Sequence, residues 1–137
     1  EDTSYEAQAW ILHTQIAEEL LAASRYPVVL CDRAVIDNYA YLAQANGAVP
    51  ALDQLVDSWL VSYQRIVLVP VLDEPSADGT RAADPLFQRA IDMRVRSELE
   101  RRGVSFVDLS QVAREHWLDH VENIAIDDLK PPQLDLL

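Results

Sequence analysis

The chain has 137 residues, of which half are apolar and a quarter charged, a composition typical of one soluble globular domain. Its formal net charge of −12 argues against general binding to nucleic acid or to an anionic membrane, because either would require a basic face. The single cysteine, Cys31, excludes a disulfide framework within the chain. Neither a long apolar span nor a signal peptide is visible, so we expect a cytoplasmic protein.

In chain order, a helix capped by Thr3 or Ser4 is predicted to end near Arg25, because its apolar residues recur at helical spacing. The segment 26–33, Y-P-V-V-L-C-D-R, then carries an unbroken apolar run. Such a run is typical of a strand that is buried on both faces of a parallel sheet. Two more helices are predicted over residues 34–44 and 51–63, the first of them ended by Gly47.

The second half of the chain repeats this alternation. A second buried strand is predicted over residues 65–70, and the acidic segment 71–84, which contains Gly79, is predicted to be a loop. A long helix over residues 85–102 and a third strand over 104–109 follow. Ser110 is predicted to cap a last helix from 111 to about 124, and residues 127–137 read as an extended or disordered tail.

This order of elements predicts an α/β fold with a parallel sheet and right-handed crossovers. Asp32 and Arg33 then lie at the carboxyl end of the first predicted strand, the edge at which open α/β sheets bind their ligands. Two opposite charges in that position could hold a metal ion and a phosphate. A salt-bridged pair at the end of a strand is the alternative interpretation.

Three sequence features resemble those of a known family. Asp32-Arg33 is followed by Asp37 and Tyr41, the segment 78–81 reads D-G-T-R, and the segment 87–91 reads F-Q-R-A-I. On these residues the chain resembles, from about residue 5 to 125, the carboxyl-terminal two-thirds of a P-loop nucleoside kinase. It is most similar to the nicotinamide riboside kinase domain of bacterial NAD-regulator proteins and to related AAA-type ATPases.

The resemblance implies a three-layer, P-loop NTPase-like parallel sheet over residues 1–126, with a lid at about 73–90. It also implies phosphoryl transfer from ATP to a nucleoside-like small molecule. Asp32 would hold Mg²⁺, directly or through water, and Arg33 would reach the acceptor hydroxyl or the transferring phosphate. Arg81 and Arg89 would belong to the lid and neutralise charge on the phosphoryl oxygens, a solvated surface being the alternative for both.

Further contacts are implied by the same resemblance. Ser110 and Gln111 follow the last predicted strand, where such kinases contact adenine. Asp37 and Tyr41 would contact the acceptor, although aromatic residues at helical spacing more commonly belong to a core.

The sequence departs from the family at one decisive place. It contains no G-x-x-x-x-G-K-[ST] motif, and its one lysine is Lys130 in the tail. We therefore expect the first strand and the P-loop to lie outside this sequence, or the protein to be a degenerate relative without catalysis. This chain alone is expected to be inactive. The alternative function is a non-catalytic binding or regulatory domain with an acidic protein-interaction surface.

The family's strand order, 2-3-1-4-5, makes a topological prediction. Segments 66–69 and 104–109 should pair in parallel, whereas segment 28–32 should not pair directly with 66–69. The slot between them, about 10 Å wide, would take a strand from absent residues or from a second chain, as in a homo-oligomer.

Overall fold

The computed structural model describes residues 4–72 and 85–130 of the chain, and the structural statements below concern these residues. Within them lie five α-helices, two short β-strands and two 3-10 turns, and no helix is long and apolar enough to span a membrane. In chain order the elements are α1 (Tyr5–Ala23), α2 (Val35–Asn46), α3 (Pro50–Leu60), β1 (Val67–Leu68), α4 (Pro85–Arg101), β2 (Val107–Asp108), 3-10 turns at Leu109–Gln111 and Arg114–His116, and α5 (Trp117–Leu129).

Local sequence signals explain most helix ends. Ser4 caps α1 through its hydroxyl, which accepts a hydrogen bond from the Ala7 N–H at 3.2 Å. Pro50 is the first residue of α3, a position where its missing N–H has no helical partner to lose. Gly47 follows α2 with φ of 80° and Gly103 follows α4 with φ of 64°, a left-handed region that favours glycine.

The core lies around α2, which packs against α1, α3 and α4. Tyr39 on α2, Leu12 on α1 and Leu99 on α4 are almost completely buried at this junction. Burying a large apolar side chain of this kind contributes about 1.5–3 kcal/mol. The helical layer, and not the sheet, therefore supplies most of the buried apolar surface among the described residues.

The predicted pairing of the second and third strand segments is confirmed. β1 and β2 are parallel neighbours, with Val67 opposite Val107 and Leu68 opposite Asp108. The Val107 N–H also donates to the Ile66 carbonyl at 2.9 Å. Both strands are shorter than predicted, so the sheet is small but compatible with the α/β class.

The prediction of a buried strand over residues 28–32 is wrong in this structure. Val28 is 48% and Leu30 is 88% exposed, and the segment belongs to no ladder among the described strands. An extended segment becomes a strand only when a neighbour pairs with its N–H and C=O groups. No ladder hydrogen bond joins this segment to residues 66–69 within the described ranges, and the empty slot between them stays a prediction, because the segment forms no strand here.

The last helix also begins later than predicted. The chain leaves β2 through two 3-10 turns, and the Trp117 Nε1–H donates to the Val112 carbonyl at 2.8 Å, which ties the start of α5 back to this connection. α5 continues to Leu129, so residues 127–129 of the predicted tail are helical, and 131–137 lie outside the described residues. Of the predicted lid, residues 73–84 also lie outside them, while 85–90 begin α4.

Candidate functional site

A strained turn connects the exposed segment 28–32 to α2. Arg33 has φ of 81°, the one positive value among described residues other than glycine. Such a conformation costs about 1–3 kcal/mol and persists where surrounding contacts hold it. Gln15 on α1 supplies one of these contacts, because its Nε2 donates to the Arg33 carbonyl at 2.8 Å.

The two peptide groups after Arg33 are also fixed by side chains. The Ala34 N–H donates to Asp37 Oδ2 at 2.9 Å, and the Val35 N–H donates to the Tyr63 hydroxyl oxygen at 2.9 Å. These are N–H groups at the start of α2, which have no partner within the helix itself. Asp37 thus caps the helix on which it lies, and Tyr63 reaches the same turn from the end of α3.

One carboxylate, that of Glu19 on α1, connects these contacts. Its Oε1 accepts from Gln15 Nε2 at 2.8 Å and from the Tyr63 hydroxyl at 2.9 Å, and its Oε2 accepts from Trp59 Nε1 at 2.7 Å. Burial raises the pKa of Tyr63 above its usual range, and the nearby Glu19 carboxylate raises it further. The phenol therefore stays protonated and donates. Asn38 adds a hydrogen bond to Gln15 Oε1.

A groove of about 460 Å³ runs between α1 and residues 29–33. Trp10, Thr14 and Glu18 line it from α1, and Asp32 and Arg33 line it from the facing segment. Gln15, Glu19 and Asn38 also contribute to its surface, so the polar network described above forms part of the groove wall. Carboxylates outnumber cations here, with Arg33 as the cation among the lining residues.

An aromatic chain connects the groove to the start of α4. The Arg33 guanidinium carbon lies 5.9 Å from the centroid of the Tyr41 ring, and this ring lies 5.8 Å from the Phe87 ring at an interplanar angle of 56°. A cation–π contact of this kind at an exposed site contributes about 0.5–1 kcal/mol. The turn at Arg33 is therefore adjacent to the point where the described chain resumes after residues 73–84.

The structure brings four of the predicted site residues together. Asp32 and Arg33 are exposed at the groove, Tyr41 packs under the guanidinium, and Asp37 lies between them on the first turn of α2. Burial raises the pKa of Asp37, while the Ala34 N–H and Arg33 oppose that rise. Because Asp37 accepts the capping hydrogen bond through Oδ2, that oxygen already has a structural hydrogen-bond partner.

The remaining predicted residues lie elsewhere. Arg89 is exposed on α4, and Arg81 lies outside the described residues. Ser110 and Gln111 are exposed in the 3-10 turn after β2, where the Ser110 N–H donates to Asp108 Oδ1 at 2.9 Å. In the described part of the chain, no hydrogen bond or ion pair joins Ser110 or Gln111 to the turn at Arg33.

Sequence reasoning missed the supports of this site, Gln15, Glu19 and Tyr63. Gln15 and Glu19 are four residues apart on α1, and this spacing places both side chains on one helix face. That pattern was the available signal. It does not reveal the contact with Tyr63, which is 44 residues distant in sequence.

The donor set at the groove fits a magnesium ion that has few protein ligands. In phosphoryl-transfer sites Mg²⁺ commonly takes one or two carboxylates and completes its shell with phosphate oxygens and water. Asp32 offers an exposed carboxylate of this kind, whereas the described residues contain no group of three or more His, Cys, Asp or Glu side chains that could hold a metal alone.

Comparison with known proteins identifies the family. The family model for the AAA domain matches residues 2–116, which include the turn at Arg33, the groove and the β1–β2 pair. No curated protein and no solved structure matches the chain. Because the family match covers most of the 137 residues, this chain belongs to the AAA domain family, whose members are P-loop nucleotide-binding domains.

Proposed function

We propose that this chain forms the acceptor and lid side of an ATP-dependent kinase-like domain, which transfers a phosphoryl group to a hydroxyl of a nucleoside-like small molecule. Membership of the AAA domain family supports nucleotide binding. The step from nucleotide binding to phosphoryl transfer rests on one observation, the turn at Arg33. It holds an arginine at a groove beside Asp32, and no carboxylate of the described residues lies within salt-bridge distance of that guanidinium.

The chemistry of the two charged residues suits this role. A guanidinium presents its N–H groups as a fork that matches phosphate oxygens, and it stabilises charge that spreads over them during transfer. Asp32 would hold Mg²⁺, directly or through water. The chemistry that Mg²⁺ would supply there is neutralisation of the charge on the phosphate groups of ATP. Asp37 and Tyr41 would orient the acceptor next to Arg33, in keeping with the contact between Arg33 and Tyr41.

The lid and the adenine contacts are proposed from the resemblance to P-loop kinases. Arg81 and Arg89 would close over the nucleotide, and Ser110 and Gln111 would contact its base. Support for the lid comes from Phe87, since its contact with Tyr41 fixes the beginning of α4 next to the turn at Arg33.

The proposal also requires a P-loop, because the 137 residues contain no such motif. We propose that the P-loop strand enters beside β1 and segment 28–32, from residues outside this sequence or from a second chain in a homo-oligomer. The apolar residues Val28 and Val69, both exposed here, would be covered by it. We propose a cytoplasmic protein with small-molecule partners, without general affinity for nucleic acid or membranes.

A second candidate is a non-catalytic binding domain of kinase architecture. It is favoured by α5, none of whose side chains is buried and whose Leu118 is 78% exposed beside acidic residues. A helix of that kind offers a surface to a protein partner. The two candidates differ in whether ATP is consumed.

The test is magnesium-dependent ADP release by the complete protein that carries this chain, measured across a panel of nucleosides. Arg33→Ala should lower kcat by about 10- to 100-fold with a smaller change in the KM for ATP, since the arginine acts on transition-state charge. Arg114→Ala removes an exposed arginine in the second 3-10 turn and serves as the matched control. An unchanged kcat in Arg33→Ala overturns the assignment, and nucleotide binding without turnover favours the second candidate.

A further inference from the structure

We propose that Glu19 and Gln15 are positioning residues that hold Arg33 in its left-handed conformation and thereby aim its guanidinium along Tyr41 into the groove. This inference rests on the function proposed above, in which Arg33 contacts the transferring phosphate. Neither residue needs to touch the nucleotide or the acceptor. Both act through the main chain that follows Arg33.

The first step is the backbone. An arginine at φ of 81° would relax to a negative value unless contacts held the turn around it. Gln15 holds the carbonyl that follows the Arg33 Cα, at 2.8 Å, and Tyr63 holds the Val35 N–H at 2.9 Å. A change of φ would rotate the Arg33 side chain relative to the groove, because the direction of Cβ is fixed by the backbone.

The second step is the shared anchor. Gln15 and Tyr63 both donate to the same oxygen, Oε1 of Glu19, at 2.8 and 2.9 Å. Loss of this acceptor would therefore loosen both peptide groups that follow Arg33 at once. Such coupled contacts make the effect of one substitution larger than that of a single hydrogen bond.

The third step is the count of donors and acceptors. Three donors, from Gln15, Tyr63 and Trp59, converge on the two oxygens of Glu19. A carboxylate only accepts, so it satisfies all of them, whereas an amide has one oxygen and an NH₂ group. Glu19→Gln keeps the size of the side chain, but it replaces one accepting oxygen with an NH₂ group. This NH₂ group, itself a donor, would then face a donor of a neighbouring side chain.

The experiment compares Glu19→Gln with the wild-type full chain. By amide hydrogen exchange, we expect the Val35 N–H to exchange about tenfold faster, the amount that corresponds to one lost hydrogen bond. We also expect the Nε–H signal of Arg33 to shift, because its ring-current environment over Tyr41 changes. Glu122→Gln, an exposed glutamate on α5, is the matched control and should change neither signal.

The kinetic readout separates positioning from general destabilisation. In the complete protein, Glu19→Gln should lower kcat about as far as Arg33→Ala does, about 10- to 100-fold, with the KM for ATP nearly unchanged. Glu19→Gln combined with Arg33→Ala should then cost little beyond Arg33→Ala alone, since both remove the same group from the site.

The outcomes distinguish this inference from the proposed function. Val35 protection and an Arg33 signal that are both unchanged in Glu19→Gln overturn the positioning role, whatever the kinetics. A fall in melting temperature with kcat unchanged also overturns it. If the wild-type protein transfers phosphate to no acceptor, the proposed function fails. The two spectroscopic signals then still decide whether Glu19 holds Arg33: a change in both supports the positioning role.

Discussion

Two polar regions next to α2 use arginine in different ways. At the groove, Arg33 is exposed, its guanidinium rests on the ring of Tyr41, and neutral side chains anchored on Glu19 hold its backbone. At the α3–α4 contact, the side chain of Arg102 is 4% exposed, and its guanidinium pairs with Glu98, Asp53 and Asp57. The first arrangement leaves a positive charge available to a ligand, and the second neutralises it inside the protein.

The contrast indicates which arginines can have a chemical role. Arg65, Arg94, Arg96, Arg101 and Arg102 each form an ion pair with an acid of the described chain. Arg33, like Arg25 and Arg114, forms no salt bridge with an acid of the described chain, but of these three arginines it is the one that lines the groove. The positive φ of Arg33 also costs free energy, and an arginine with no role beyond the surface would not require that conformation.

The largest expected effect comes from breaking the α3–α4 cluster. Burial alone would lower the pKa of Arg102, but its hydrogen bonds to Glu98 and Asp57 raise it, so the guanidinium stays charged. Arg102→Met would leave Glu98, which is also buried, without this partner. We expect a loss of about 3–5 kcal/mol in the free energy of unfolding, measured by urea denaturation.

The control for this prediction is Arg65→Met. Arg65 forms a 2.6 Å ion pair with Asp128, but its side chain is 49% exposed, so the urea midpoint should stay within experimental error of the wild type. In the double variant Arg102→Met, Glu98→Met the loss should be smaller than the sum of the two single losses, because no unpaired charge remains from this pair. Equal stability of Arg102→Met and the wild type would contradict the cluster's role.

The helices of the fold could be predicted from the sequence because their signals are local. The apolar spacing of α1 to α4, Pro50 at the start of α3 and the glycines after α2 and α4 all lie within a few residues of what they determine. The strand prediction for segment 28–32 failed because the pairing of strands depends on residues far away in the sequence. The same apolar run becomes a buried strand or an exposed segment according to whether a neighbouring strand is present.

The candidate site also contains residues that could be predicted from the sequence and residues that could not. Asp32, Arg33, Asp37 and Tyr41 could be grouped from the sequence because they follow one another through a turn and the first turns of α2. Glu19 and Tyr63 could not, since their contact joins α1 to the end of α3. Hydrogen-bond partners this far apart follow from the packing of the helices, and no short motif records them.

The next prediction concerns Arg81, a second arginine whose charge is proposed to act on the transferring phosphate. Arg81 lies outside the described residues, and its lid role derives from the D-G-T-R segment. In the complete protein, Arg81→Ala should lower kcat by about tenfold or more while raising the nucleotide KM less, because a lid arginine acts mostly on transition-state charge. Steady-state kinetics at varied ATP would measure both. An unchanged kcat would exclude the lid assignment. Arg33 would then be the one arginine still proposed to act on the phosphate.

The smallest effect, and the one that depends on pH, concerns Asp108 at the end of β2. The hydrogen bond from Arg96, at 2.6 Å, and then that from Ser110 hold the pKa of Asp108 far below its usual value. A carboxyl group whose pKa is lowered by folding stabilises the native state fully above its unfolded pKa, about 4, and loses that contribution as the pH falls toward its folded pKa. The Arg96 guanidinium also lies over the ring of Phe106, the residue before β2, at 5.7 Å.

Asp108→Asn should therefore lower the free energy of unfolding by about 1 kcal/mol at pH 7, because it keeps an acceptor for the Ser110 N–H but removes the charge. The deficit should become smaller at pH 3, where the wild type has begun to lose the same contribution. Urea denaturation at the two pH values measures this difference, with Asp119→Asn, an exposed residue of α5, as the matched control. A deficit of equal size at both pH values would show that packing at β2, and not the charge paired with Arg96, sets the stability of this side of the molecule.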